Sequence, residues 1–162
     1  MNNKILYTES QRFKQWWIWA LIVGICTFVG VPIYQQAKVN ISMEIIFPFI
    51  IILLVVLLFL SLRLETLIKE DGIYVRFFPF IIKYKRYDWD SIEQLYVRKY
   101  NPIAEYGGWG MRFGIFGKGM AYNVSGNIGL QIIFTNGKKL LIGTQQPKKM
   151  EAVLNELGKI KS

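Results

Sequence analysis

Histidine is absent from the 162 residues. That removes the usual neutral-pH general base, the commonest metal ligand and every His-containing triad, so most hydrolase mechanisms become hard to assemble. There is one cysteine, Cys26, and it sits inside an apolar run, where a thiol is inert packing rather than a nucleophile. A single cysteine permits no intrachain disulfide, zinc cluster or redox pair. Acidic residues are also scarce, 11 against 20 Lys and Arg, for a formal charge of +9. This excess favours acidic partners, anionic head groups included. No phosphate-cradling loop with a following Lys-Ser or Lys-Thr occurs, so GGWGMRFG (107–114) is glycine-rich without being a P-loop. No cofactor or metal is expected. The basic residues are scattered rather than gathered into a patch, which speaks against nucleic acid.

Apolar sequence is abundant, with mean hydropathy +0.27, and it is concentrated before residue 63. Trp16 to Tyr34 carries no charge over 19 residues, and Ile45 to Leu62 none over 18. At about 1.5 Å per residue each run reaches roughly the thickness of a bilayer core. The expectation is a membrane anchor over 1–62, with helices at about 16–34 and 45–62 and a short extracytoplasmic loop at 35–44. Lys4, Arg12 and Lys14 precede the first run and Arg63, Lys69 and Arg76 follow the second, while Lys38 alone lies between. The positive-inside rule then puts both termini in the cytoplasm. Trp16, Trp17, Trp19 and Tyr34 fall where interfacial aromatic anchors belong. The sequons at Asn40 and Asn123 carry no weight in this topology.

From Arg63 onward the pattern changes to short alternating segments broken by turn residues, as in antiparallel sheets buried on one face. Leu64 to Lys69 and Ile73 to Phe78 flank Asp71-Gly72, a hairpin signal. Ile82 to Asp88 and Ile92 to Tyr100 follow, then Met111 to Phe116 and Met120 to Val124 around Gly117-Lys118-Gly119. Gly129 to Phe134 and Lys138 to Gly143 flank Asn136-Gly137, the clearest hairpin. A helix begins at Pro147, with Met150, Val153, Leu154, Leu157 and Ile160 on one stripe.

KEDGIYVRF, YDWDSIEQLYV and GLQIIFTNGKKLLIGTQQPKKMEAVL, spread over Leu64 to Lys159, resemble bacterial pleckstrin-homology-like (PH-like) domains that follow one or two membrane helices. The resemblance implies a barrel of seven or eight antiparallel strands over 63–162, capped by the C-terminal helix. It also implies a binding role at the bacterial cytoplasmic membrane without naming a ligand. The chain departs from lipid-binding relatives at the first hairpin, where only Lys69 and Arg76 stand near Glu70-Asp71-Gly72.

Three functional readings follow. A non-catalytic adaptor would recognise a protein partner through the Gly107 to Gly114 segment. Its candidate contacts are Trp109 and Arg112, with Tyr106, Tyr122 and Asn123 beside them. The same glycines also fit a plain structural bend plugged by Trp109. A sensor of anionic lipid would use Lys83, Lys85 and Arg86, although a charged solvent-facing strand is the plainer reading of the same residues. An enzyme would need Asp88 and Asp90 to converge.

Overall fold

A computed structural model describes residues 4–37, 43–114 and 117–160. The chain divides into two compact units, one formed by Phe13–Leu62 and the other by Met1–Arg12 with Arg63–Ser162.

The first unit is two helices, α1 (Trp16–Ala37) and α2 (Met43–Ser61). Helix α1 is long and apolar enough to cross a membrane by length and composition. The described apolar stretch of α2, Phe47–Ser61, falls short of that length. Phe28, Leu21 and Val31 on α1 and Leu54, Leu53 and Leu60 on α2 are exposed, as on helices apolar all round. Of the expected loop at 35–44, residues 38–42, with Lys38 and Asn40, lie outside the described residues.

The second unit holds nine strands and two helices among the described residues. Strands β1 (Ile5–Arg12), β2 (Arg63–Lys69), β3 (Gly72–Phe78) and β4 (Lys85–Asp88) form one antiparallel sheet in that order. Inward positions follow the two-residue period of a pleated strand: Leu64, Thr66 and Ile68 on β2, and Ile73, Val75 and Phe77 on β3, are all essentially inaccessible. Each such aliphatic or aromatic side chain contributes about 1.5–3 kcal/mol by leaving water.

Strand β1 corrects the sequence reading. Residues 1–62 were expected to belong to the anchor, but Ile5–Arg12 pairs with β2 from Ile5↔Lys69 to Arg12↔Arg63. The helical unit is therefore inserted between two neighbouring strands of one sheet. Strand β1 escapes a hydropathy reading because its inward side chains are Tyr7, Glu9 and Gln11. They are buried yet polar, and apart from the bond between Tyr7 and Glu9 their partners lie 132 or more residues away. The Tyr7 hydroxyl donates to Glu9 Oε2 at 2.6 Å, Thr144 Oγ1 donates to the same oxygen at 2.7 Å, and the Gln145 N–H donates to Glu9 Oε1 at 2.8 Å. Gln11 Nε2 donates to the Gly143 carbonyl at 2.7 Å. Burial and the neighbouring carboxylate push the Tyr7 phenol well above its ordinary range, so it remains a donor.

A 3-10 turn, Trp89–Ser91, carries the chain from β4 into the second sheet. Trp89 is buried there and its indole N–H donates to the Glu70 carbonyl at 2.9 Å. The second sheet contains β5 (Ile92–Lys99), β6 (Gly110–Phe113), β7 (Met120–Asn123), β8 (Ile128–Phe134) and β9 (Lys139–Gly143), in the order β5-β8-β9-β7-β6. The expected all-antiparallel barrel is revised here. The strands form two separate sheets, and β7 runs parallel to β9, with Met120↔Leu140 and Tyr122↔Ile142 in register. The β8–β9 hairpin forms as expected, Asn136 Oδ1 accepting the Lys138 N–H at 3.0 Å. Helix α3 (Pro102–Tyr106) joins β5 to β6, and α4 (Pro147–Glu156) buries Met150 and Leu154 of the expected stripe.

Candidate functional site

The Gly107 to Gly114 segment is shaped from its N-terminal side. Asn101 Oδ1 accepts the N–H groups of Ile103 and Ala104 at 3.1 and 3.0 Å, so α3 starts with a side-chain cap, and Pro102 occupies its first turn. Glu105 accepts the Asn101 N–H at 2.8 Å and pairs with Arg98 at 2.7 Å. The Arg98 guanidinium holds the Glu105 carboxyl below its ordinary value against partial desolvation. Gly107, in the left-handed region at φ 69°, ends the helix.

Beyond it the backbone is fastened to β7. The Gly110 N–H donates to Asn123 Oδ1 at 2.8 Å, and Asn123 Nδ2 donates to the Tyr100 hydroxyl at 3.0 Å. Tyr100 meets Tyr106 edge-on at 5.9 Å between ring centroids. Tyr106, Tyr122 and Asn123 are consequently interior, 2%, 1% and 0% exposed, and none presents a surface to a partner. Amphipathic side chains beside glycines read as contacts in sequence; here their polar atoms are satisfied inside the domain, Asn123 by Gly110 and Tyr100, Tyr106 by Arg98 and the Lys118 carbonyl, and Tyr122 by Tyr87. Trp109 is half-buried and its indole N–H donates to the Gly126 carbonyl at 3.0 Å. Arg112 is exposed, its Nε donating to the Trp109 carbonyl at 3.2 Å. Met111 and Phe113 flank it, Phe113 being 78% exposed. All three lie on β6, an edge of the second sheet, whose outer backbone groups face no further strand among the described residues.

A cleft of about 730 Å³ opens beside this edge, between β4 and the strands of the second sheet. Phe113, Met120, Phe134 and Leu140 supply apolar lining, and Lys85, Arg86, Lys138 and Lys139 bring positive charge. Asp88 is the acid among the lining residues, and Arg86 holds it in an ion pair. Arg86 also reaches Asp71 at 3.2 Å, whereas Lys85, Lys138 and Lys139 are exposed. The wall from Tyr87 is aromatic: its ring lies 5.3 Å from that of Phe134. Burial, with a hydrogen bond to Tyr122, pushes the Tyr87 phenol up and keeps it neutral. Gly119 lets the chain pass close to β9, for at φ 82° a Cβ would sit 2.1 Å from the Lys139 carbonyl oxygen. This convergence of four cations from two sheets was not visible in sequence.

The basic run expected to face lipid is divided. Lys83 belongs to the β3–β4 loop, while Lys85 and Arg86 line the cleft from β4. Asp88 is neutralised by Arg86 and Asp90 stands exposed in the 3-10 turn. Among the described residues no three Cys, Asp or Glu side chains gather as a metal site would require. On α1, Trp16 and Tyr34 are 79% and 67% exposed, Trp17 46%, and Trp19 is half-buried. Compared with protein-family models, curated proteins and solved structures, the chain matches none of them.

Proposed function

We propose that this protein is a membrane-tethered, PH-like adaptor that binds an extended acidic segment of a partner protein, bearing apolar side chains, at the cytoplasmic membrane face. The observation that carries the reading is the cleft, where Lys85, Lys138 and Lys139 surround an apolar floor next to the exposed edge of β6. An extended segment gains main-chain hydrogen bonds from an unpaired edge, specificity from pockets beside it, and encounter rate from opposite charge. The PH-like assignment draws on the run of antiparallel strands and the closing helix α4, and it has to accommodate the parallel β7–β9 pair.

Tethering by two spans is supported by the register of β1 and β2. Arg12 and Arg63 are direct partners, so their Cα atoms lie about 5 Å apart. A chain that leaves a sheet and re-enters it at the neighbouring residue crosses a bilayer an even number of times. If α1 crosses, α2 returns. Lys4, Arg12, Lys14 and Arg63 around the junctions favour the cytoplasmic side for the domain.

The test is affinity capture of the full-length protein from its own membranes in mild detergent, beside a Lys138→Glu, Lys139→Glu variant and an Arg112→Ala, Phe113→Ser variant. These four side chains are exposed, so folding is expected to be retained and is checked by the melting temperature. A partner recovered by the parent and depleted at least about tenfold by both variants, roughly 1.4 kcal/mol, is the expected result. An identical set of captured proteins from all three refutes the site.

A further inference from the structure

One loop of the β-domain carries exposed apolar side chains that neither its core nor the cleft uses. Between β3 and β4 the chain reads Pro79-Phe80-Ile81-Ile82-Lys83-Tyr84, with Phe80 58% and Ile82 69% exposed. The loop is held in shape: the Ile81 N–H donates to the Phe77 carbonyl at 2.7 Å, and the Phe80 ring stacks on the buried Phe77 at 6.3 Å. Tyr84 closes it by donating to Glu65 Oε2 at 2.5 Å.

Register places the loop. Arg12 pairs with Arg63, and Arg63 with Phe78, so these three residues form one row across β1, β2 and β3. Arg12 is the last residue before the helical unit and Arg63 the first after it. The loop thus leaves the sheet from the same end at which the chain runs to and from the anchor. Exposed cations cluster there too, Arg12 and Lys83, with Arg63 partly exposed and held by Glu65 at 3.3 Å. At the far end of β3, about 20 Å away along the strand, the turn carries Glu70 and Asp71, with Asp71 paired to Arg86 and Lys69 beside them. Exposed apolar tips flanked by Arg12 and Lys83 match the layering of a bilayer surface, where acyl boundary lies beneath anionic head groups.

We infer that the β3–β4 loop enters the membrane interface, with Phe80 and Ile82 at the acyl boundary and Arg12 and Lys83 among anionic lipid head groups. The contact fixes the orientation of an already tethered domain, and so sets which way its cleft faces. This inference rests on the anchor reading proposed above, and the test separates the two.

Cys26, in α1, is the chain's single cysteine and serves as the marker for the anchor. The full-length protein is reconstituted in vesicles of three parts phosphatidylcholine to one part phosphatidylglycerol, with a nitroxide on Cys26, or on Ile82→Cys or Glu70→Cys in a Cys26→Ser background. Collision rates with oxygen, which concentrates in the bilayer, and with a water-soluble nickel chelate report depth. The expected oxygen-to-nickel ratio at residue 82 is at least about fivefold that at residue 70. Adding Phe80→Asp should bring it down toward the value at residue 70, with an unchanged melting temperature showing that the fold persists. A deep Cys26 with residue 82 as water-accessible as residue 70 overturns the loop contact and leaves the anchor standing. A water-accessible Cys26 overturns the anchor reading and this inference with it.

Discussion

Glu9 is a buried carboxylate two of whose three partners come from the opposite end of the chain, and replacing it tests whether β1 is integral to the domain. Its two oxygens accept from Tyr7, Thr144 and the Gln145 N–H, at 2.6, 2.7 and 2.8 Å. Hydrogen bonds to a charged acceptor contribute about 1.5–3 kcal/mol each, so three independent bonds would set an upper limit near 9 kcal/mol. Two effects reduce this in Glu9→Ala. The Tyr7 and Thr144 hydroxyls stand 3.4 Å apart and can bond each other, and removing a buried charge recovers several kcal/mol of desolvation. The expected net loss is about 3 kcal/mol. At about 4 °C per kcal/mol for a domain of this size, melting falls by about 12 °C. Glu9→Gln keeps the shape and one acceptor, and should cost about 1 kcal/mol. The assay is thermal unfolding of the full-length protein in detergent micelles, followed by near-ultraviolet circular dichroism. In the Glu9→Ala background, Thr144→Val should cost about 1 kcal/mol less than in the parent, since the two share a bond. A Glu9→Ala melting point within about 3 °C of the parent refutes the reasoning.

Because Arg12 and Arg63 are register partners, replacing residues 13–62 by Asn-Gly should give a soluble, cooperatively melting domain, whereas a chain starting at Arg63 should bind hydrophobic dye and lack a sharp transition; equal behaviour of the two would remove β1 from the fold. Gly119→Ala combines a left-handed φ with a Cβ 2.1 Å from the Lys139 carbonyl oxygen, and should cost about 3 kcal/mol in chemical denaturation; a loss under about 1 kcal/mol would contradict the close approach. Burial opposes ionisation of Glu65, but the Tyr84 hydroxyl and Arg76 outweigh it and hold the carboxyl below its ordinary 4.5. A lowered folded-state pKa stabilises the fold above the unfolded value, and that stability is lost as pH falls through the folded one. Melting should therefore be level above about pH 5 and decline below about pH 4, with a shallower acid decline in Glu65→Gln; identical pH profiles for the two proteins would contradict this.

Much of the β-domain was legible because its pairings are local. Asp71-Gly72 and Asn136-Gly137 mark their hairpins, and the stripe from Met150 to Leu154 marks α4. Each of the eight strands expected after residue 63 has a counterpart, but the one expected from Ile82 begins only at Lys85, and residues 115 and 116 of the one expected from Met111 lie outside the described residues. What was missed is non-local. Strand β1 turns Tyr7, Glu9 and Gln11 inward, so its burial rests on distant partners rather than on apolar alternation. The parallel β7–β9 pair joins strands separated by the whole of β8, and no turn signal announces it. The same limit governs the site. Tyr106, Tyr122 and Asn123 carry residue types common at interfaces, yet Gly110 and Tyr100 consume the hydrogen-bonding capacity of Asn123 inside the domain. The cleft depends on Lys85 and Lys138 meeting from two sheets, which spacing along the chain does not encode.

The placement of the helices between β1 and β2 also orders the protein's birth. During synthesis Ile5–Arg12 emerges first and has nothing to pair with until both helices and Arg63–Lys69 have followed. On the two-span reading proposed above, membrane insertion precedes completion of the sheet. A chain whose second helix failed to return would strand Tyr7, Glu9 and Gln11 on one side of the bilayer and their partners on the other. On that reading, folding of the domain would proofread the topology of the anchor, leaving a mis-inserted molecule incomplete and open to proteolysis.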